Sequence, residues 1–479
     1  MSTAADNRHV VIIGGGYSGA MVAVNLARHA RRPLTVTVVD RSGSPGRGAA
    51  YSTTRPEHLL NVAARNMSAL PDHPNHFVQW LQTRTDFADV PEAELRETFI
   101  PRRIYGDYIR SLFQAALHPI ADDAPVNLAT VAADVTALEP RAEGGALVHL
   151  SAGEPLQADA VVLATGHCPP APFAGVEGLA DDPRWCGNPW GAWYEGLPAA
   201  GGHVILLGTG LTMVDAVLTL TALDWQGQIT AVSRSGNLPL SHFRGTEHPD
   251  YLPANAEELG LAGLVRLVEE QCAQLRAAGQ NPCIAVDKLR PHTQRLWRSF
   301  STAEKRTFIR DHSARWNVMR HRIAPQIHRT VTEAIESGRL KIVAATIREV
   351  SAGDNGLAVS ATDAAGKASQ LTGDRVVNCT GPHSRFSETG VPFYRDLLGG
   401  GLASVDELDM GLRATDDFRV LDRDGNPSAW LYAVGPLLKG MLWESIAVPE
   451  LRGQSHQIAR HLLDLPALAP EEPVLEYCI

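Results

Sequence analysis

The 479-residue sequence has no Cys-x-x-Cys pair; its six cysteines, Cys168, Cys186, Cys272, Cys283, Cys379 and Cys478, stand apart. That spacing excludes a dithiol redox motif and the usual zinc sites. It is the pattern of free thiols in a reducing compartment. No apolar run reaches the 18 residues a membrane-spanning helix needs. Met1 to His9 is polar without a basic leader, and the apolar run from Val10 is broken by Gly14, Gly15 and Gly16. No secretory signal is therefore expected, and a cytoplasmic location without a membrane partner is. Basic charge is short as well: 43 Lys and Arg against 53 Asp and Glu leave a net charge of -10. That balance argues against a nucleic-acid partner, which requires a basic stripe. With 44% hydrophobic and 20% charged residues, the chain can build a large core and is not disordered. Its length suggests two or three domains.

The first informative segment is VVIIGGGYSGAMVAVNLA, residues 10–27. A β-branched run, Val10 to Ile13, leads into Gly14-x-Gly16-x-x-Gly19 and then into helix formers. In such a strand–turn–helix unit the first glycine permits the tight turn. The second lets a pyrophosphate approach the backbone, and the third lets helix and strand pack closely. A second strand, Thr35 to Val39, ends at Asp40, 24 residues after Gly16, where a ribose-binding carboxylate belongs. Tyr17 and Ser18 in the turn, Arg41 beside the acid, and Val135 further along are counted with them as cofactor contacts. An ordinary glycine turn is the alternative reading.

The pattern returns at residues 203–220, HVILLGTGLTMVDAVLTL. A buried strand runs into Gly208-x-Gly210, followed by Leu211 and Thr212. Met213 takes the place of the third glycine, which implies a wider strand-to-helix spacing or a different approach of the helix. After the next strand, Ile229 to Val232, comes Arg234 rather than an acid. Arginine accommodates a 2′-phosphate, so this unit reads as an NADPH site (or NADH) and the first as an FAD site. A solvated loop charge is the alternative for Arg234.

Each unit closes on a Thr-Gly at a strand end, Thr165-Gly166 and Thr380-Gly381. Short alternating segments precede each, residues 126–150 and 340–370, and read as small β-meanders. A last strand, Ala429 to Val434, meets Gly435 and is expected to return to the first sheet. The expected fold is therefore α/β: two Rossmann-like dinucleotide-binding domains, the second inserted in the first, plus a mostly helical insertion. The boundaries read as 1–168 with 383–479 for FAD, and 169–382 for NAD(P), with the helical insertion at about 240–338. That insertion carries the main basic stretch, from Arg290 to Arg322, interleaved with Trp297, Phe300, Phe308 and Trp316. It reads either as a solvated helix face or as a wall of the substrate cleft.

These motifs resemble the two-dinucleotide-domain flavoproteins. More specifically, the chain resembles FAD/NAD(P)-binding proteins related to FAD-dependent urate hydroxylase. The carrying phrases are GRGAAYSTTRPEHLLNVAARNMSALPDHPNHFVQWL (46–81), GTGLTMVD (208–215), LRPHTQRLW (289–297), WNVMRHRIAP (316–325) and LWESIAVPELRGQ (442–454). The resemblance places residues 46–67 along the flavin, with Arg47, Tyr51, His58, Leu60, Asn61 and Met67 as contacts. Asn61, one amide in an apolar setting, is the catalytic candidate, able to donate to a flavin oxygen or N5; a turn or cap asparagine is the plain alternative. Gly435-Pro436 departs from the Gly-Asp of many flavoproteins, which puts the ribityl contact in question.

Two dinucleotides imply hydride transfer from nicotinamide to flavin, with the protein positioning and insulating them. Without a Cys-x-x-Cys the reduced flavin needs another oxidant. The expectation is O2, a C4a-(hydro)peroxyflavin, and hydroxylation of a small-molecule substrate, either a urate-like purine or an amine. Arg320, His321 and Arg322 are candidates for attracting an anionic substrate. The rival is a reductase or oxidase passing electrons to O2, a quinone or a protein; a flavin-binding regulatory protein is a rival of another class. No metal site is expected, His58, His73 and His76 included, and a homodimer is left open.

Overall fold

The computed structural model describes residues 8–120, 124–243 and 248–466. The sequence readings on Met1 to Asn7 and on Cys478 lie outside these residues.

Two parallel sheets organise the chain. The first has six strands in the order Arg419–Leu421, Pro427–Ala433, Ala160–Leu163, Arg8–Ile13, Leu34–Val39, Val126–Val131. All neighbours run parallel except the first pair. Val10, Val11, Ile12, Val161 and Val162 are wholly buried, the continuous apolar pattern expected where helices cover both faces. Helix Tyr17–His29 packs between helices Arg102–Leu117 and Val448–Leu462. Strand Pro427–Ala433 joins late in the chain, setting Leu431 opposite Val161.

The second sheet lies between in sequence. Its order is Leu340–Ala344, Gln228–Ser233, His203–Leu207, Arg375–Asn378, Trp185–Cys186, all parallel. Helices Leu211–Ala222 and Pro325–Glu336 pack together beside it. The fold is α/β, built on two Rossmann-like parallel sheets.

The meanders need one correction. Residues 126–131 and 340–344, read as parts of them, are instead edge strands of the two parallel sheets. The three-stranded antiparallel sheets proper span residues 135–158 and 346–373. Alternation along an edge strand resembles alternation in a meander, because in both one face meets solvent.

Between strands Gln228–Ser233 and Leu340–Ala344 the chain is largely helical, with Gly260–Ala277, Cys283–Leu289, Thr293–Ser299, Ser313–Arg320 and Pro325–Glu336. Leu264, Leu275, Leu289 and Leu296 bury their shared faces. Ser301 caps the next short helix in a reciprocal box with Glu304. Glu304 also accepts the Leu261 N–H at 2.8 Å, tying two helices together.

Candidate functional site

The first glycine turn is a backbone cradle. Gly14 sits at φ +100°, and a Cβ there would lie 2.5 Å from the Ala164 carbonyl oxygen; only glycine fits. A Cβ on Gly19 would fall on the Gly14 carbonyl. Gly15 N–H donates to Asp40 Oδ2 at 2.7 Å, and Ser42 N–H donates to Oδ1 at 2.9 Å. Helix Tyr17–His29 starts from Gly16 with no side-chain cap and no acid in its first turn. Its leading N–H groups are thereby left for an anion. Arg41 points outward to Asp134 at 3.1 Å. Val135 opens the antiparallel sheet beyond.

The second turn repeats the first. Gly208 is at φ +108°, and its Cβ would lie 2.6 Å from the Cys379 carbonyl oxygen. Helix Leu211–Ala222 starts from Gly210 at φ -84°, ψ -164°, again with no cap and no first-turn acid. Gly16 has nearly the same backbone, φ -67°, ψ -167°, so the two helices leave their turns with a similar cap conformation. Met213 is fully buried in the second core.

The repeat also sets a register. Gly14 N–H donates to Val39 O, and Gly208 N–H donates to Val232 O. Counted from these bonds, Ser233 occupies the place of Asp40, and Arg234 the place of Arg41. Thr209 Oγ1 lies 2.8 Å from Ser233 Oγ, where Gly15 meets Asp40 in the first unit. Arg234 is exposed and forms no ion pair among the described residues. Thr209 and Ser233 were not singled out from sequence; the signal is the residue pairing between the two turns.

The segment from 46 to 67 divides into parts. Arg47 is ion-paired with Asp107 on helix Arg102–Leu117. Tyr51 packs edge-on to Tyr105, ring centroids 4.8 Å apart, and to Tyr17 at 6.5 Å; burial pushes all three phenols up, Tyr51 to about 12. His58 faces the second unit: its Nε2 lies 2.9 Å from Thr219 Oγ1 and 3.2 Å from the Asp215 carbonyl. Arg102 forks onto Asp215 beside it, both bonds 2.7 Å. Burial, foremost, depresses the His58 imidazole. His58 therefore stands apart from the neighbouring pair His73 and His76, and no metal-ligating cluster occurs among the described residues. Leu60 and Met67 are buried. The Asn61 carbonyl accepts from His242 Nε2 at 2.7 Å, and its side-chain amide has no partner among the described residues.

Neighbouring strands Ala160–Leu163 and Pro427–Ala433 lead into Thr165-Gly166 and Gly435, at strand ends of the kind that border the ligand crevice in doubly wound sheets. Thr165 bonds Tyr394 through their hydroxyls. Gly166, at φ +75°, has open space where a Cβ would stand. Gly435, at φ +78°, donates its N–H to Gln454 Oε1 at 2.9 Å and accepts from Ser445 Oγ at 2.6 Å. Its missing Cβ would approach Ser18 Oγ at 3.3 Å. His167 is exposed, yet the protein mass around it, then Lys439, depress its imidazole to about 4. His321 is likewise held to about 4, by burial and then by Arg320. Lys439 influences both rings and has no ion pair among the described residues.

The helical insertion docks on the segment after Gly435. Arg320 donates to Glu444 from Nε and Nη2, each at 3.2 Å, and both side chains are 6% exposed. Trp316 Nε1 donates to Glu444 Oε1 at 3.2 Å, and Gln294 Nε2 to the Glu444 carbonyl at 2.6 Å. Burial pushes the Glu444 carboxyl up, but Arg320, His321 and Arg290 together outweigh it and hold the group below its ordinary value. Trp297 Nε1 donates to Gly440 O at 2.8 Å. Arg322 holds both oxygens of Asp287 at 2.8 Å. This corrects one expectation: Arg320 and Arg322 are locked in buried pairs and are not free to attract an anionic substrate. Arg295, Arg298 and Arg315 are also paired, with Glu257, Asp416 and Glu269.

Residues 11–168 match the model of an FAD-NAD(P)-binding family. Comparison with curated proteins finds no match. Solved structures share the fold over nearly the whole chain. The Kutzneria sp. 744 ornithine N-hydroxylase is 17% identical, with a TM-score of 0.65 over 96% of this chain and 99% of that one. L-lysine 6-monooxygenase from Pseudomonas syringae is 18% identical, with 0.65 over 95% and 98%. Ornithine hydroxylase from Pseudomonas aeruginosa, in reduced form, is 16% identical, with 0.64 over 96% and 99%.

Proposed function

We propose that the protein is an NAD(P)H-dependent FAD oxidoreductase, and within that class a monooxygenase that hydroxylates a small molecule with O2. The observation that carries this reading is the duplicated cradle: Gly14 against Ala164 and Gly208 against Cys379, each leading into an uncapped helix. Both fit a pyrophosphate, because a side chain is excluded at the turn and the helix N–H groups have no internal partner. The family match falls on the first cradle, and structures with this fold include hydroxylases of ornithine and lysine.

In this reading residues 1–168 and 383–479 bind FAD, and residues 169–382 bind the nicotinamide cofactor. FAD, when bound, accepts hydride and activates O2; the remaining work is the protein's. Gly14, Gly16, Tyr17, Ser18 and Gly19 hold the pyrophosphate end. Asp40 keeps the turn closed through Gly15. Thr165, Gly166 and Gly435 border the crevice. Asn61 is fixed through its backbone by His242, which leaves its amide able to donate to a ligand. Gly208, Gly210, Leu211 and Thr212 form the second cradle. There Ser233 replaces a carboxylate with a neutral hydroxyl, removing the charge that would repel a 2′-phosphate, and Arg234 stands beside it to pair with one. The reading is NADPH over NADH.

The test is turnover with NADPH and isotopically labelled O2 over a panel of amines and purines. Label in a hydroxylated product supports the monooxygenase. NADPH consumption matched by hydrogen peroxide with every compound would reduce the protein to an oxidase.

A further inference from the structure

Inside the helical insertion lies an apolar cavity of about 120 Å³. Leu261, Leu264, Leu289, Trp297, Trp316 and Trp443 are among its walls. Five come from the insertion. Trp443 comes from the segment that leaves the first sheet at Gly435, so the cavity abuts the part of the chain that follows the flavin crevice. Its indole lies 4.9 Å from Trp297, ring centre to ring centre. Lys439 Nζ lies over the same ring at 5.7 Å.

Trp443 is held there against its backbone preference. It sits at φ +60°, a region that bulky L-residues avoid and that tends to persist where a site requires it. The neighbouring bonds, Trp297 to Gly440 and Gln294 to the Glu444 carbonyl, keep that conformation in place.

The charges near the cavity are spoken for. Arg315 and Glu269 at the lining pair with each other at 3.0 Å. Glu444 is bound by Arg320 and Trp316, and Asp287 by Arg322. Among the described residues of the lining, His312 is the ionisable side chain that remains besides Arg315 and Glu269. A cavity of similar size, about 150 Å³ and lined by Leu, Ile and Phe, stays dry and takes benzene.

We infer that this cavity binds the apolar body of the substrate, a single-ring aryl or short branched alkyl group, with the reacting end directed past Trp443 toward the crevice. The inference rests on the monooxygenase reading for the word substrate; the binding itself does not.

The experiment is calorimetric titration of the FAD-loaded protein with ethylbenzene and phenethylamine, beside ornithine and urate, together with tryptophan fluorescence. The expected result is binding of both aryl probes with a negative heat-capacity change and altered emission, because three tryptophans line the site. Leu264→Trp and Val268→Phe fill the cavity and are expected to weaken binding roughly tenfold or more; their FAD absorbance reports whether they fold. If neither folds, Leu296→Ala, which enlarges the cavity, is expected to move preference toward a two-ring probe. Tight binding of ornithine or urate without the aryl probes would overturn the inference. So would filled variants that keep FAD and full aryl affinity, or an enlarged variant with unaltered preference. A protein that holds no FAD but binds the aryl probes would overturn the monooxygenase reading and leave the cavity assignment standing.

Discussion

Thr209 Oγ1 meets Ser233 Oγ at 2.8 Å, at the point where the first unit sets Gly15 N–H on the Asp40 carboxylate at 2.7 Å. A neutral contact replaces a charged one at equivalent places in two similar turns. Ser233→Asp is therefore expected to restore the first unit's chemistry and turn the preference from NADPH toward NADH. The ratio of kcat/KM for the two nucleotides measures it.

Arg234→Ala is expected to weaken NADPH by roughly 1.5–3 kcal/mol, the worth of a hydrogen bond to a charged group. NADH binding should scarcely change. Equal losses on both nucleotides would remove Arg234 from the 2′-phosphate.

The docking of the insertion depends on Arg320 and Glu444. Glu444→Gln removes the nearer of the two carboxylates around the buried Arg320 guanidinium, leaving Glu450 at 3.8 Å; breaking a buried pair typically costs about 3–5 kcal/mol. Denaturant unfolding should show a lower midpoint, and unfolding of the insertion should come apart from that of the sheets.

Acid should destabilise the protein through its histidines. Burial lowers His242 from 6.5 to about 3 and His456 to about 4. Each is held neutral in the fold and takes a proton more readily when unfolded. Their contribution is complete above pH 6.5 and is lost as pH falls toward 4 and below. His242→Gln, which keeps a donor for the Asn61 carbonyl, should flatten the acid limb of a plot of unfolding free energy against pH.

Much of this was legible from residues close in sequence. Both glycine turns, the β-branched strands and the strand ends at Thr165 and Thr380 are local patterns with local causes. The place of Ser233 was not legible, because it is set by the bond from Gly208 to Val232 rather than by counting from the strand end. Arg320 and Glu444 lie 124 residues apart, and nothing at either position in the sequence announces the partner. The bonds of His58 to Thr219 and Asp215 join residues far apart in sequence, and its own phrase does not announce them. The influence of Lys439 on His167 and His321 joins three separate stretches of chain and has no sequence signature.

The most direct test of the central claim is the visible spectrum of the purified protein before and after anaerobic addition of NADPH and, separately, NADH. The account predicts bound FAD, bleached rapidly by NADPH and more slowly by NADH. A protein without flavin, or with flavin that neither nucleotide reduces, would contradict it.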